Sequence, residues 1–267
     1  MKRLVILTAV IIFVMCSGTL RAENESLDKS ARNLESGIMG LLKGIDMTLT
    51  KSATMIGKLG PSSLEISKVL KDCRLGRFYV IDSTFVDDKG VMKFIEPDIY
   101  KKLEGTDISS QDAVKEILKT KQPVMSDLID SVEGIKSVVF EVPVFSPKKE
   151  FLGFLSILTR IEEMIKFAAV QVEAGRGVKT WVMQKDGLII YETDHSQIGL
   201  NLFTDPLYKD YPELIDLGKK MINEASGQGA YTFLINGTQK VVRKEAAWRT
   251  LNFYGKDWIV VAYQQEK

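Results

Sequence analysis

Few side chains in this sequence are suited to do chemistry, and their spacing excludes most of it. His195 is the single histidine, and neither cysteines nor carboxylates stand around it at the intervals of a metal site. HExxH and GxSxG are absent, and Gly227-Gln228-Gly229 lacks the third glycine of a dinucleotide loop. A serine hydrolase would have to use His195 as its base, with no signature for the nucleophile. No catalytic residue, metal ligand or cofactor is therefore expected. Binding chemistry is better represented. Trp181, Tyr191, Tyr231, Trp248 and Tyr263 fall in strand-like segments, where alternate residues share a face. A small-molecule pocket needs such an apolar lining with a few convergent polar groups. Tyr191, His195, Tyr231, Arg243 and Trp248 are the expected ligand contacts of the C-terminal half, Arg243 being suited to grip a carboxylate with two hydrogen bonds. The corresponding residues of the N-terminal half are Tyr79, Phe94, Lys136 and Glu141, with Asp127 and Asp130 placed to hold a cationic ligand. Each has a plainer alternative: aromatics filling a core, His195 in a structural loop, charges solvated at the surface.

The elements that must position these residues are legible from period and turn chemistry. Trp181–Gln184 and Leu188–Glu192 flank Lys185-Asp186-Gly187, and Asp-Gly between two runs of branched and aromatic residues predicts a hairpin. Thr193–Ser196 then leads to Gly199 and Asn201, before a helix over Leu207–Asn223. Strands follow at Ala230–Ile235, Lys240–Trp248 and Trp258–Tyr263, with turns at Asn236-Gly237 and Gly255–Asp257. The same order appears upstream. Strands at 78–81 and 83–86 precede the turn Asp87–Gly90 and a strand over 91–95; Ser109 or Ser110 caps a helix over Asp112–Lys119, and strands span Lys136–Phe145 and Phe151–Thr159. Asp88–Phe94 corresponds to Lys185–Tyr191, and Gly105–Ile108 to Gly199–Leu202, a weak internal repeat of roughly 95 residues. Hairpin neighbours pair antiparallel, so each copy should be a small antiparallel sheet flanked by helices. The fold class is α+β.

Before the first copy, Leu34, Ile38, Leu41, Leu42, Ile45, Leu49, Ala53 and Ile56 recur at the spacing of an amphipathic helix. Gly60–Ser63 interrupts it, and Ser62 or Ser63 is placed to cap a second helix that runs to about Asp72. Ile161–Glu173 reads as a connecting helix. The N-terminus has Lys2-Arg3, an apolar run over Leu4–Cys16 and a small residue at Ala22, the pattern of a secretory signal peptide; an uncleaved anchor and a lipidated Cys16 are the alternatives. The run is shorter than the roughly 20 residues of a spanning helix. Cleavage after Ala22 leaves 33 basic against 35 acidic residues, a net of −2 that makes no electrostatic case for nucleic acid. Cys73 would be the one remaining cysteine, a small buried hydrophobe rather than a reactive thiol. The expected division is a signal peptide at 1–22, a helical region at 23–75, a first module at 76–165 and a second at 166–267.

In this order, Phe85–Val91, Val142–Phe145, Asp186–Tyr191, Ile198–Leu202 and Gly255–Val261 make residues 30–265 resemble a double Cache domain, the tandem PAS-like extracytoplasmic sensor. The resemblance implies two stacked PAS-like modules beside a long helix, with a small-molecule pocket between sheet and helical loops. It implies a periplasmic or extracellular sensor, without catalysis, that passes its state to a membrane kinase or chemoreceptor. Members usually lie between two membrane helices, whereas this sequence has no later apolar run of spanning length, so a free or tethered binding protein is expected. The amino-acid-binding branch carries a Tyr, Arg, Trp and Tyr cluster in the first module. Residues 95–135 hold Tyr100 but no Arg and no Trp, against an amino acid held in that way. The alternative function is a ligand-free module that docks a receptor kinase or dimerises through the long helix.

Overall fold

One apolar stripe accounts for the longest element. Leu27, Ala31, Leu34, Ile38, Leu42, Ile45, Leu49, Ala53 and Ile56 are all buried, at intervals of four, three and four residues that repeat every 11. Such a repeat averages about 3.67 residues per turn, close to the 3.6 of an α-helix, so the stripe stays on one face. This is α1, Lys2–Leu59. Gly60, with φ of 84°, closes it. In this computed structural model residues 2–132, 134–175, 177–235 and 237–266 are described, with side chains from Ser26 onward. The side chains of the expected signal peptide, Cys16 included, lie outside the described residues, as does Asn236 in its expected turn. Among the described residues no helix is long and apolar enough to cross a membrane. Helix α2 is Ile66–Arg74, and the expected serine cap is not made: Glu65 holds the N-cap position with helical backbone angles.

The chain divides into two compact units, one of residues 37–168 and 252–257, the other of residues 1–36, 169–251 and 258–267. In the first, β1 (Val80–Asp87), β2 (Met92–Glu96), β3 (Val124–Met125), β5 (Lys136–Phe145) and β6 (Phe151–Thr159) form an antiparallel sheet in the order β2-β1-β6-β5-β3. A short β4 (Ile129–Asp130) also pairs with β5. Ser83 Oγ on β1 donates to the Leu70 carbonyl of α2 at 2.7 Å. Helix α3 (Asp112–Thr120) packs Val114 and Ile117 with Val86, Met92, Ile95 and Phe154. Gln111, rather than Ser109 or Ser110, stands at its N-cap.

In the second unit, α4 (Ile161–Glu173, begun in the first) leads to β7 (Lys179–Gln184), β8 (Ile189–Glu192), β9 (Ser226–Leu234), β10 (Val241–Phe253) and β11 (Lys256–Gln265), in the order β8-β7-β11-β10-β9. One face carries Trp181, Met183, Trp248, Ile259 and Val261 against α5 (Pro212–Asn223). On the other, Ala247 and Ala262 pack with Leu27 and Ala31 of α1. The helix expected over Leu207–Asn223 is split. A 3₁₀ turn covers Pro206–Tyr208, capped by Asp205, and α5 starts only at Pro212. Proline lacks the amide hydrogen an interior helical position must donate, so it opens a helix instead. The β10–β11 turn falls at Tyr254-Gly255, with φ of 48° and 78°, where Gly255–Asp257 was expected.

The internal repeat is visible as a shared hydrogen-bond frame. Ile108 N–H donates to Gly90 O and Gly105 N–H to Met92 O; Leu202 N–H donates to Gly187 O and Gly199 N–H to Ile189 O, all between 2.8 and 2.9 Å. Gly187 is required twice over, by its φ of 93° and because a Cβ there would lie 2.4 Å from the Phe203 ring.

Candidate functional site

Strand alternation in the first sheet gathers polar side chains on one buried face. Thr84 of β1 pairs with Ser156 of β6, which pairs with Glu141 of β5, and one row away Asp82, Leu158 and Val139 are aligned in the same way. With Gln111 ahead of α3, and Ile129, Ser131 and Val132 around β4, they line a cleft with a cavity of about 40 Å³. Thr84 Oγ1 donates to Asp82 Oδ1 at 3.2 Å. Glu141 is 2% exposed, and among the described residues its Oε2 has no hydrogen-bond partner. Loss of hydration disfavours the carboxylate. Burial first, then the negative charge of Glu116, pushes the Glu141 carboxyl up from 4.5 to about 8. The two acids stand two strands apart, roughly 10 Å in backbone terms, on a face that otherwise offers hydroxyls and aliphatic carbon. Such a face accepts hydrogen bonds and stabilises positive charge.

The second sheet holds a smaller cleft, with a cavity of about 20 Å³ between Trp181, Ile189, Glu192, Gln197, Leu202, Tyr208, Leu214, Tyr231, Phe233 and Lys244. An irregularity in the β7–β8 register sets Glu192 opposite Trp181 and Tyr191 opposite Val182. Glu192 therefore points to the cleft and Tyr191 to the other face. Tyr208 Oη donates to Gln197 Oε1 at 3.2 Å. Burial holds the Tyr231 hydroxyl well above its ordinary value.

These placements revise the residues expected from sequence. Glu141 lines the first cleft and Tyr231 the second. Trp248 is fully buried beside the second cleft, its Nε1 donating to the Glu224 carbonyl at 3.0 Å. The others are brought to neither. Arg243 is half-exposed, with Glu213 at 3.4 Å and Glu266 at 3.2 Å; the neighbouring Lys244 is the side chain turned inward. His195 is exposed in a 3₁₀ turn. Phe94 faces Phe85 across the strands, away from the cleft-lining residues of β1. Tyr79 precedes β1 and packs edge-on against Phe78. Lys136 and Asp130 pair at the surface at 3.2 Å, and Asp127 meets Lys256 at 2.7 Å. Asp82, Thr84, Ser156, Glu192 and Lys244 were missed. The signal for Lys244 was present, since strand alternation from Trp248 through Ala246 reaches Lys244 and skips Arg243.

Residues 40–160 match the family model described as HK/GC/Chemotaxis protein-like, sensor domain. The chain is 25% identical to an extracellular ligand-binding receptor from Desulfohalobium retbaense DSM5692, with a TM-score of 0.72. That match covers 90% of this chain and 39% of the receptor, so the chain spans about two fifths of its length. The ligand-binding domain of the amino acid chemoreceptor PctC of Pseudomonas aeruginosa PAO1, in complex with GABA, matches at 14% identity and TM-score 0.61, over 92% of this chain and 99% of that one. That of the Pseudomonas fluorescens chemoreceptor CtaA, in complex with L-isoleucine, matches at 12% and 0.64, over 95% and 97%. No curated protein matches.

Proposed function

We propose that the chain is a tandem PAS-like sensor domain of the double Cache type, and an extracytoplasmic sensor for an amine-bearing small molecule, bound in the first cleft without being transformed. The observation that carries the reading is Glu141, a buried carboxyl without a partner for Oε2, on the same cleft face as Asp82. A ligand ammonium supplies the hydrogen bond and positive charge that the buried Glu141 carboxyl has no solvent to provide. The ligands of the PctC and CtaA complexes, GABA and L-isoleucine, both carry an ammonium group. Here the acidic face takes the place of an Arg- and Trp-bearing cluster, so the amine rather than a carboxylate is the recognised feature. Occupancy shifts the first sheet between two arrangements, and a membrane kinase or chemoreceptor reads the change. Self-association through α1 belongs to the same proposal, with Met47 and Met55 the exposed apolar side chains it offers.

Isothermal titration calorimetry of the full chain with 1,4-diaminobutane, GABA and L-isoleucine tests the proposal, with 1-butanol as the neutral control. Saturable binding of at least one amine is expected, weakened tenfold or more by Asp82→Asn and by Glu141→Gln. No binding of any amine, or equal affinity for butanol, would overturn it.

A further inference from the structure

The second cleft contains a cation that the proposal above does not use. Lys244 is 4% exposed, and its side chain runs inward from β10. Among the described residues its Nζ makes no hydrogen bond and no ion pair. Its neighbours are ring faces: Tyr263 at 4.6 Å, Phe233 at 5.4 Å and Tyr231 at 6.0 Å from ring centre to nitrogen. Aromatic faces attract an ammonium but accept none of its three donors in the way an oxygen does. Burial lowers the Lys244 pKa, while the carboxylates of Glu192 and Asp194 act against that shift. Glu192 also lines the cleft, yet its Oε1 accepts from the Thr193 amide at 2.8 Å and the Thr193 hydroxyl at 2.7 Å.

We propose that this cleft is a second ligand site, selective for a small carboxylate whose oxygens take hydrogen bonds from Lys244 Nζ. The dimensions set the class. A cavity of about 20 Å³ walled by Trp181, Leu202, Tyr208 and Tyr231 admits only the smallest acids, acetate first, and excludes large ones. The apolar wall contacts the hydrocarbon, while the desolvated ammonium supplies orientation and charge selectivity. Arg243, the guanidinium a sequence reading would choose for this task, is engaged at the surface by Glu213 and Glu266. This site stands on a different sheet and a different charge from the amine cleft, and neither proposal depends on the other.

The test titrates the full chain with acetate, propionate and butyrate, using propionamide as the uncharged control. Saturable binding of at least one carboxylate is expected, with propionamide at least tenfold weaker. Lys244→Met should reduce carboxylate affinity at least tenfold, whereas Glu141→Gln, in the other cleft, should leave it unchanged. Should Lys244→Met not fold, the wild-type chain decides: acetylation of Lys244 by acetic anhydride, followed by mass spectrometry, is slowed at least fivefold by saturating acetate, whose exchange with the anhydride is degenerate, and not by propionamide. Absence of carboxylate binding, full retention in Lys244→Met, or unprotected acetylation would each overturn the assignment.

Discussion

Replacing Glu141 by glutamine removes the charge of this carboxyl while keeping its shape. The side chain is 2% exposed, and its proton is held to about pH 8 against the ordinary 4.5. Between those values the folded chain keeps a proton that the unfolded chain has released. Stability therefore falls as pH rises through this window, and the loss is complete above the folded value. At 1.36 kcal/mol per pH unit, the interval corresponds to about 5 kcal/mol. Glutamine is neutral throughout, so the variant escapes this loss. The two proteins should melt together near pH 5, and the variant should be the more stable by about 10–20 °C near pH 8.5, taking 2–4 °C per kcal/mol for a chain of this size.

The choice of assay follows from the position of the fluorophores. Trp181, Trp248 and Trp258 all lie in the other compact unit, so tryptophan emission would miss the transition of interest. Differential scanning calorimetry follows both units. Parallel melting curves for wild type and Glu141→Gln from pH 5 to 8.5 would refute the reasoning. Ligand binding supplies a second readout of the same proton. An ammonium prefers the ionised carboxyl, which is about 1% populated at pH 6 and half populated at pH 8. Amine affinity should therefore rise about 50-fold between those values in the wild type, and hardly at all in the variant.

Two further outcomes rest on packing. Gly57→Ala should destabilise the chain by about 1–3 kcal/mol in urea unfolding, although alanine is the better helix former by about 1 kcal/mol, because the added Cβ would lie 2.1 Å from the Phe145 carbonyl oxygen. The Cys73 thiol, buried and donating to Ser52 Oγ at 3.2 Å, has its pKa raised by burial; it should react with a disulfide reagent at least a hundredfold more slowly in the folded chain than in urea, and comparable rates would contradict the packing.

Period and turn chemistry were sufficient for most of the framework. β5, β6 and α4 coincide with the ranges expected from sequence, because each is a single uninterrupted pattern bounded by a proline, glycine or charged turn. Boundaries failed where a local rule competed with the apolar pattern, as at Pro212, which divides a continuous helical stripe. The clefts were harder to see. Composition pointed to aromatic and charged side chains on strands, but which of two adjacent charges turns inward depends on register. Arg243 and Lys244 differ by one position and occupy opposite environments. At Tyr191 and Glu192 the register irregularity between Val182 and Met183 decides the matter, and no residue type announces it.

The repeated frame lets one fold carry a buried acid in one cleft and a buried ammonium in the other. The sheet orders β2-β1-β6-β5-β3 and β8-β7-β11-β10-β9 are the same order, so β5 and β10 are equivalent strands. Glu141 stands on the first and Lys244 on the second, each buried and each turned toward its own module's cleft. The glycine-anchored hydrogen bonds that close each hairpin onto its loop are main-chain bonds, indifferent to the side chains lining the cleft. Cleft position is therefore fixed by backbone, whereas ligand charge is set by one or two side chains at strand positions that contribute little to the frame. Exchanging a carboxyl for an ammonium at such a position changes what is bound without disturbing the turns or the sheet order. By this logic the two proposed sites, an acid in the first cleft and an ammonium in the second, would answer to two classes of small molecule through one repeated architecture.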